Sequence, residues 1–289
     1  MTFSPLSHPM AITGESPLWD HARSCLWWID IQAQRLLYTT MAGVTTAIPC
    51  PWQPGFVALA ESGRLVVGLE NGLWTFDPDG TIWEQISDTE ADRPTLRLND
   101  GKPDLHGRLW FGSMDMTGQG VSSGRLYLRE TNGDIRIMRE GITVPNAIVP
   151  LADGSGLYFA DSPRRVLERL TLNTSGDSIV QSDQIYRFDG RAHPDGACLD
   201  ADGNIWIALI EQGGVIRLSP NGQELARHSS PISRATMPMI GGPDGSTMFL
   251  TSQRRFLSPD ELQNEPMAGG LLSMNVNARA ATVHKVAGL

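Results

Sequence analysis

"HPDGACLDADGNIWIALI", residues 193–210, reads as two short β-strands joined at Asp202-Gly203. Its apolar residues alternate with small or polar ones, the pattern of a half-buried strand, and a glycine in the turn adopts positive φ without a Cβ clash. Asp195 stands just ahead of the apolar run, where a strand is about to enter a core. A carboxylate at that point needs a partner or a purpose. Similarly placed polar residues recur in "GESPLW" (14–19), "RLNDGK" (97–102) and "VPNAIV" (144–149).

Outward from this stretch the same grammar repeats. Short runs rich in Val, Ile, Leu, Trp and Tyr end in Gly-containing punctuation, and sustained helical periodicity is absent, so the chain reads as all-β. Hairpin turns are predicted at Gly63, Asn71-Gly72, Asp79-Gly80, Asn132-Gly133, Asp153-Gly154, Asp202-Gly203, Asn221-Gly222 and Asp244-Gly245. In order, the strand pairs form a weak repeat: "ESPLWDHARSCLWWIDI" (15–31), "FVALAESGRLVVGLENG" (56–72), "NDGKPDLHGRLWFGSMD" (99–115), "NAIVPLADGSGLYFADS" (146–162), "DGACLDADGNIWIALIE" (195–211) and "MIGGPDGSTMFLTSQ" (239–253). Their first residues, Glu15, Phe56, Asn99, Asn146, Asp195 and Met239, lie about 41 to 49 residues apart, near the period of four-stranded propeller blades. Second hairpins such as "GRLYLRETNGDIRIM" (124–138) supply outer strands. The prediction is a six-bladed β-propeller with four-stranded antiparallel blades, one domain spanning 1–289, against the alternative of a β-sandwich with coincidental spacing.

Composition narrows the function classes. Of 289 residues, 40% are apolar and 19% charged, enough to bury a sizeable core. A formal charge of −9 and the lack of a basic run argue against nucleic-acid or anionic-membrane partners and favour a small molecule. Cys25, Cys50 and Cys198 are odd in number and far apart, which fits a reducing compartment and excludes a disulfide framework or a Cys-x-x-Cys zinc site. The N-terminal stretch has neither a basic start nor a continuous apolar segment, and nothing later approaches a membrane span, so a cytoplasmic protein is expected.

If each repeated segment is the innermost strand of its blade, the six starting residues point into a central channel at one level. Glu15, Asn99, Asn146 and Asp195 would then gather two carboxylates and two amides in a low-dielectric space, an arrangement that is costly unless something positive sits among them. Oxygen donors without thiolates or clustered histidines suit Ca²⁺, Mg²⁺, Mn²⁺, Fe²⁺ or Zn²⁺. Glu15 and Asp195 would neutralise the dication and Asn146 would add a neutral oxygen, leaving positions for water or substrate.

At this point the chain resembles the senescence marker protein/gluconolactonase family, also called regucalcin-like. The resemblance is carried by "GESPLWD" (14–20), "RLNDGKPDLHGRLWFGSMD" (97–115), "PN" (145–146), "HPDGACLDADGNIWIA" (193–208) and "PMAGGLLSM" (266–274). It implies a six-bladed propeller holding one divalent metal, with Glu15, Asn146 and Asp195 matching metal ligands and Asn99 matching a residue that contacts metal or substrate. It also implies that Arg97 reaches the substrate and that Asp195 acts as general base. Two departures stand out: the family often reads Asn-Gly where this chain has Asn146-Ala147, and "MTGQGVSSG" (116–124) has no carboxylate where some relatives carry an acidic lid residue. Asp115 is the nearest substitute.

The expected activity is metal-dependent hydrolysis of a sugar aldonolactone, such as glucono-, xylono-, arabino- or galactonolactone, by a monomer acting in carbohydrate catabolism. An aryl ester or organophosphate hydrolase and a calcium-binding regulator are the alternatives. For Arg97 a salt bridge to Asp100 competes with substrate binding, and His193 reads as a loop residue. Trp27, Trp28, Trp110 and Trp206 read as packing between blades.

Overall fold

A computed structural model, described over residues 2–7 and 11–289, shows six four-stranded antiparallel sheets among the described residues. The N-terminal strand β1 (Ser4–Ser7) belongs to the last of them. The first sheet is β2 (Gly14–Asp20), β3 (Cys25–Asp30), β4 (Arg35–Thr40) and β5 (Thr45–Pro49). The second is β6 (Pro54–Leu59), β7 (Leu65–Leu69), β8 (Gly72–Asp77) and β9 (Ile82–Gln85). The third is β10 (Leu96–Pro103), β11 (Leu109–Asp115), β12 (Gly124–Arg129) and β13 (Ile135–Ile142), and the fourth is β14 (Pro145–Pro150), β15 (Gly156–Asp161), β16 (Val166–Leu172) and β17 (Ile179–Arg187). The fifth is β18 (His193–Leu199), β19 (Ile205–Ile210), β20 (Val215–Leu218) and β21 (Glu224–His228). In the sixth, β22 (Ala235–Gly241), β23 (Thr247–Ser252) and β24 (Leu271–Asn275) are completed by β1, antiparallel to β24.

The first five sheets are meanders, as the alternation and short turns require, and the sixth is closed by the N-terminal β1. Glycines 63, 72, 133, 154, 203, 222 and 245 take positive φ, as predicted for their turns. Asp79-Gly80 departs: the left-handed residue there is Thr81, φ 56°, whose amide bonds back to Asp77 O at 2.8 Å.

The chain forms two compact units. One comprises Met1–Gln53 and Phe188–Thr282, the other Pro54–Arg187 and Val283–Leu289. In the first unit, Phe3 and side chains of the fifth and sixth sheets, among them Trp206, Ile240, Leu250 and Leu272, make a continuous apolar cluster. In the second, Phe56, Leu98, Phe111 and Tyr127 fill the space between the second and third sheets, and Trp110, Ile148, Phe159 and Leu170 that between the third and fourth. These strands read as continuous apolar runs because sheets cover both of their faces.

Every innermost strand carries a bulge near its start. Register steps between Glu15 and Leu18, Pro54 and Phe56, Leu98 and Gly101, Asn146 and Val149, Pro194 and Ala197, and Ala235 and Pro238. The turns that follow open at Asp20, Ala60, Asp104, Leu151, Asp200 and Gly242. Counting five residues back from each (for example 200 − 5 = 195) gives Glu15, Gly55, Asn99, Asn146, Asp195 and Met237. The equivalent positions in the second and sixth sheets are therefore Gly55 and Met237. This corrects Phe56 and Met239, which mark where the apolar run becomes conspicuous rather than where the strand bends.

Candidate functional site

A bulge inserts residues that have no ladder partner and re-aims their side chains, which is how a buried strand can present a polar group without losing its sheet. In the unit built on β10 and β14, Asn99 donates through Nδ2 to Pro145 O at 2.8 Å and to Asn146 Oδ1 at 3.0 Å. Asn146 is buried and donates its own Nδ2 to Ser162 Oγ at 2.8 Å. These bonds orient the amide, with nitrogen toward Ser162 and oxygen toward Asn99. Ala147, next along, has φ 46°, a left-handed conformation that costs a residue with a Cβ about 1 to 2 kcal/mol. Ser16, next to Glu15, has φ 51°. Strain of this kind beside candidate ligands marks where the surrounding structure holds a bend in place.

Arg97 is buried on β10, and its Nη1 donates to Leu98 O at 2.9 Å. Asp100 instead accepts from Ile148 N at 3.0 Å and faces Lys102 Nζ at 3.8 Å. The carboxylate thus stitches β10 to β14 and has these partners in place of the Arg97 salt bridge considered from sequence. Asp115 sits at the end of β11 opposite Leu96, and its Oδ1 accepts from Thr117 N at 2.8 Å and from the Thr117 hydroxyl.

In the other unit Glu15 and Asp195 are both half-buried, at matching bulges of β2 and β18. Glu15 Oε2 accepts from Ser16 N at 2.6 Å. Strand β22 packs beside both β2 and β18, and Thr236 Oγ1 donates to Gly14 O at 2.6 Å. Met237 presses on Gly196 so closely that a Cβ there would lie 2.4 Å from the methionine Cβ. His193 opens β18 opposite Ile210, so it is a half-buried strand residue rather than a loop residue.

Each unit offers oxygen donors only: Glu15 and Asp195 are carboxylates in one, Asn99 and Asn146 amides in the other, and the Asn146 amide is held by bonds at both of its ends. That chemistry fits a hard divalent cation. Among the described residues no cluster of three or more His, Cys, Asp and Glu side chains is placed to bind a metal.

Sequence reasoning missed Ser162, whose only local signal is its place just after β15. It also missed a second series at the other end of the inner strands. Trp27, Trp110 and Trp206 donate their Nε1 atoms to buried Asp20, Asp104 and Asp200 at 3.2, 3.3 and 2.9 Å. The tryptophans are core residues as expected, yet each also anchors the carboxylate that closes its hairpin.

Comparison with known proteins agrees with this architecture. The family described as SMP-30/Gluconolactonase/LRE-like region matches residues 13–254. The 6-deoxy-6-sulfogluconolactonase of Pseudomonas putida is 31% identical over 271 residues, 92% of each chain. Regucalcin of Oryctolagus cuniculus is 27% identical over 268 residues, 90% of each. The solved calcium-binding protein regucalcin from Agrobacterium tumefaciens C58 superposes with a TM-score of 0.92 at 26% identity, covering 98% of this chain and 96% of that one. The class is thus an all-β, six-bladed propeller with four-stranded antiparallel blades. Within that class, the chain belongs to the SMP-30/gluconolactonase/LRE-like family. No helix among the described residues is long and apolar enough to cross a membrane.

Proposed function

We propose that the protein is a hydrolase of cyclic esters that opens a sugar aldonolactone to its aldonic acid with the help of one divalent metal. The observation that carries this is the equal placement of Glu15, Asn99, Asn146 and Asp195 at the bulges of four innermost strands, in a chain whose family includes named sugar lactonases. Glu15, Asn146 and Asp195 are the metal ligands in this reading, and calcium is the ion named for the Agrobacterium relative. A divalent cation, when bound, supplies Lewis-acid polarisation and lowers the pKa of water.

The remaining chemistry belongs to side chains. Asp195 accepts a proton from the attacking water as its oxygen bonds to the lactone carbonyl carbon. The bond from that carbon to the ring oxygen then breaks, and Asp195 returns the proton to the leaving oxygen. In this reading the Arg97 guanidinium, whose Nη1 donates to Leu98 O, also binds substrate hydroxyls, or an anionic substituent if the sugar bears one. Asn99 spends Nδ2 on Pro145 and Asn146, and in this reading its Oδ1 is the atom that contacts substrate or metal. The substrate is a small molecule and the enzyme acts as a monomer.

The test is ring opening of glucono-, xylono-, arabino-, galactono- and 6-sulfonated gluconolactones, with EDTA and with added Ca²⁺, Mn²⁺, Mg²⁺ or Zn²⁺. Turnover above buffer that EDTA abolishes and metal restores is expected. No acceleration of any lactone under any metal overturns the reading. Faster turnover of phenyl acetate or a phosphotriester would move the activity to the aryl ester or organophosphate class, and calcium binding without any turnover would make the protein a regulator.

A further inference from the structure

Glu90 lies in the connection from β9 to β10, yet it is buried and has φ 70°. A long acidic side chain in the left-handed region with its carboxylate out of water is doubly unfavourable unless the surroundings hold it there. They do so with donors from three places. Ser113 Oγ on β11 donates to Glu90 Oε1 at 2.6 Å, the Tyr127 hydroxyl on β12 donates to the same oxygen, and Arg93 Nη1 pairs with Oε2 at 3.0 Å. Burial, and then the bond to Glu90, push the Tyr127 phenol up to about 12, so the hydroxyl keeps its proton and stays a donor.

This cluster reaches the exposed loop between β11 and β12 at both of its feet. At the first, Ser113 is bound to Glu90 and Met116 N donates to Thr95 O at 2.8 Å. At the second, Arg93 Nη2 donates to Ser123 O at 2.6 Å. The same Ser113 hydroxyl accepts from Arg125 N at 3.0 Å, where β12 begins. The loop spans 116–123 and stands beside Arg97, because Arg97 pairs with Met114 and Leu96 with Asp115. Segment 90–95 therefore grips both ends of the loop and then runs straight into the strand that carries Arg97.

We propose that Glu90 and Arg93 are positioning residues that fix the 116–123 loop against the Arg97 strand, so that loop and arginine present one preformed surface to the substrate. This rests on the lactonase reading for its substrate, and on the hydrogen bonds alone for its mechanics. An untethered loop would have to be ordered at each binding event, which weakens substrate affinity and leaves the bond-breaking groups unaltered.

The test uses the full-length, metal-loaded enzyme carrying Arg93→Met, with Arg93→Lys as the conservative variant and Ser113→Ala as a milder lesion should Arg93→Met fail to fold. Expected for Arg93→Met are a rise in KM of about 10-fold or more with kcat within about twofold, and faster amide exchange in 116–123 with the other sheets unchanged. Arg93→Lys should recover part of both effects. Unchanged exchange and KM, or a fall in kcat at constant KM, would overturn the proposal. If the wild-type protein opens no lactone, the functional reading fails by itself, and the tether is then judged by exchange: protection lost from 116–123 upholds it, protection retained refutes it.

Discussion

Asn99 and Asn146, 47 positions apart in the chain, are joined by a 3.0 Å hydrogen bond between matching bulges of β10 and β14. The bond matters because it leaves the Asn146 amide one orientation, with Ser162 holding the nitrogen at 2.8 Å. Ser162→Ala removes that hold without touching a proposed ligand. Outer partners of metal ligands typically contribute about 10- to 100-fold to affinity. A loss of that size in calcium or manganese binding by calorimetry, with an unchanged circular dichroism spectrum, is the expected result; unchanged affinity would mean that Asn99 alone orients the amide.

Gly196 follows Asp195 in a bulge where Met237 leaves no room for a methyl group, the nearest contact being 2.4 Å to a Cβ rather than to a flexible chain end. Gly196→Ala must therefore push the β18 and β22 backbones apart. Overpacking of this kind costs about 1 to 3 kcal/mol. The displaced atoms adjoin Asp195, so kcat should fall more than the loss of folded protein explains. Urea unfolding and steady-state kinetics on the same preparation separate the two effects.

Legibility in the sequence followed the range of the interactions. Turn residues announce themselves locally, so the glycines at 133, 154, 203 and 222 betrayed the hairpins and, through their spacing, the blades. The polar residue at the bulge was visible where it was Glu, Asn or Asp. Where the position holds Gly55 or Met237, the phase could not be read, because a register step is a property of hydrogen bonding between strands and leaves no residue-type mark. Ser162 and Glu90 were illegible for a related reason: apart from Arg93, which pairs with Glu90 from three residues on, the partners named for them lie 16 to 37 residues away, across strands whose pairing had first to be known. The pairing of β1 with β24 is the extreme case, joining the two ends of the sequence in one sheet.

Asp200 shows how much the far ends of the inner strands contribute to stability. It accepts from Trp206 Nε1 at 2.9 Å, Arg217 Nη2 at 2.7 Å and Asn204 N at 2.9 Å, and only 1% of its side chain is exposed. Asp200→Ala would strand an arginine and an indole donor together. Breaking a buried pair from one side costs about 3 to 5 kcal/mol. Glu224→Ala, at the exposed Arg227–Glu224 pair, should cost less than about 1 kcal/mol. Denaturant midpoints of the two variants should differ accordingly, and equal midpoints would show that Asp200 is replaceable by water.

Stability should also fall on the alkaline side, where most carboxylate effects are already saturated. Burial, with a smaller push from Asp20 and a partial offset from Arg23, raises the Cys25 thiol from near 9.0 to about 11. Burial raises Cys50 from the same value to about 12, and Tyr127 is raised from near 10.0 to about 12. The folded chain then holds protons that the unfolded chain releases, so the slope of unfolding free energy with pH is negative. The contribution is complete below about pH 9 and drains away as pH climbs toward 11 to 12. Urea midpoints measured from pH 8 to 11 should decline, and Cys25→Ala combined with Cys50→Ala should flatten that decline. At pH 8 the native protein should leave both thiols unreactive toward a disulfide reagent that modifies them fully in denaturant; rapid native labelling of Cys25 or Cys50 would refute the burial on which the pH effect depends.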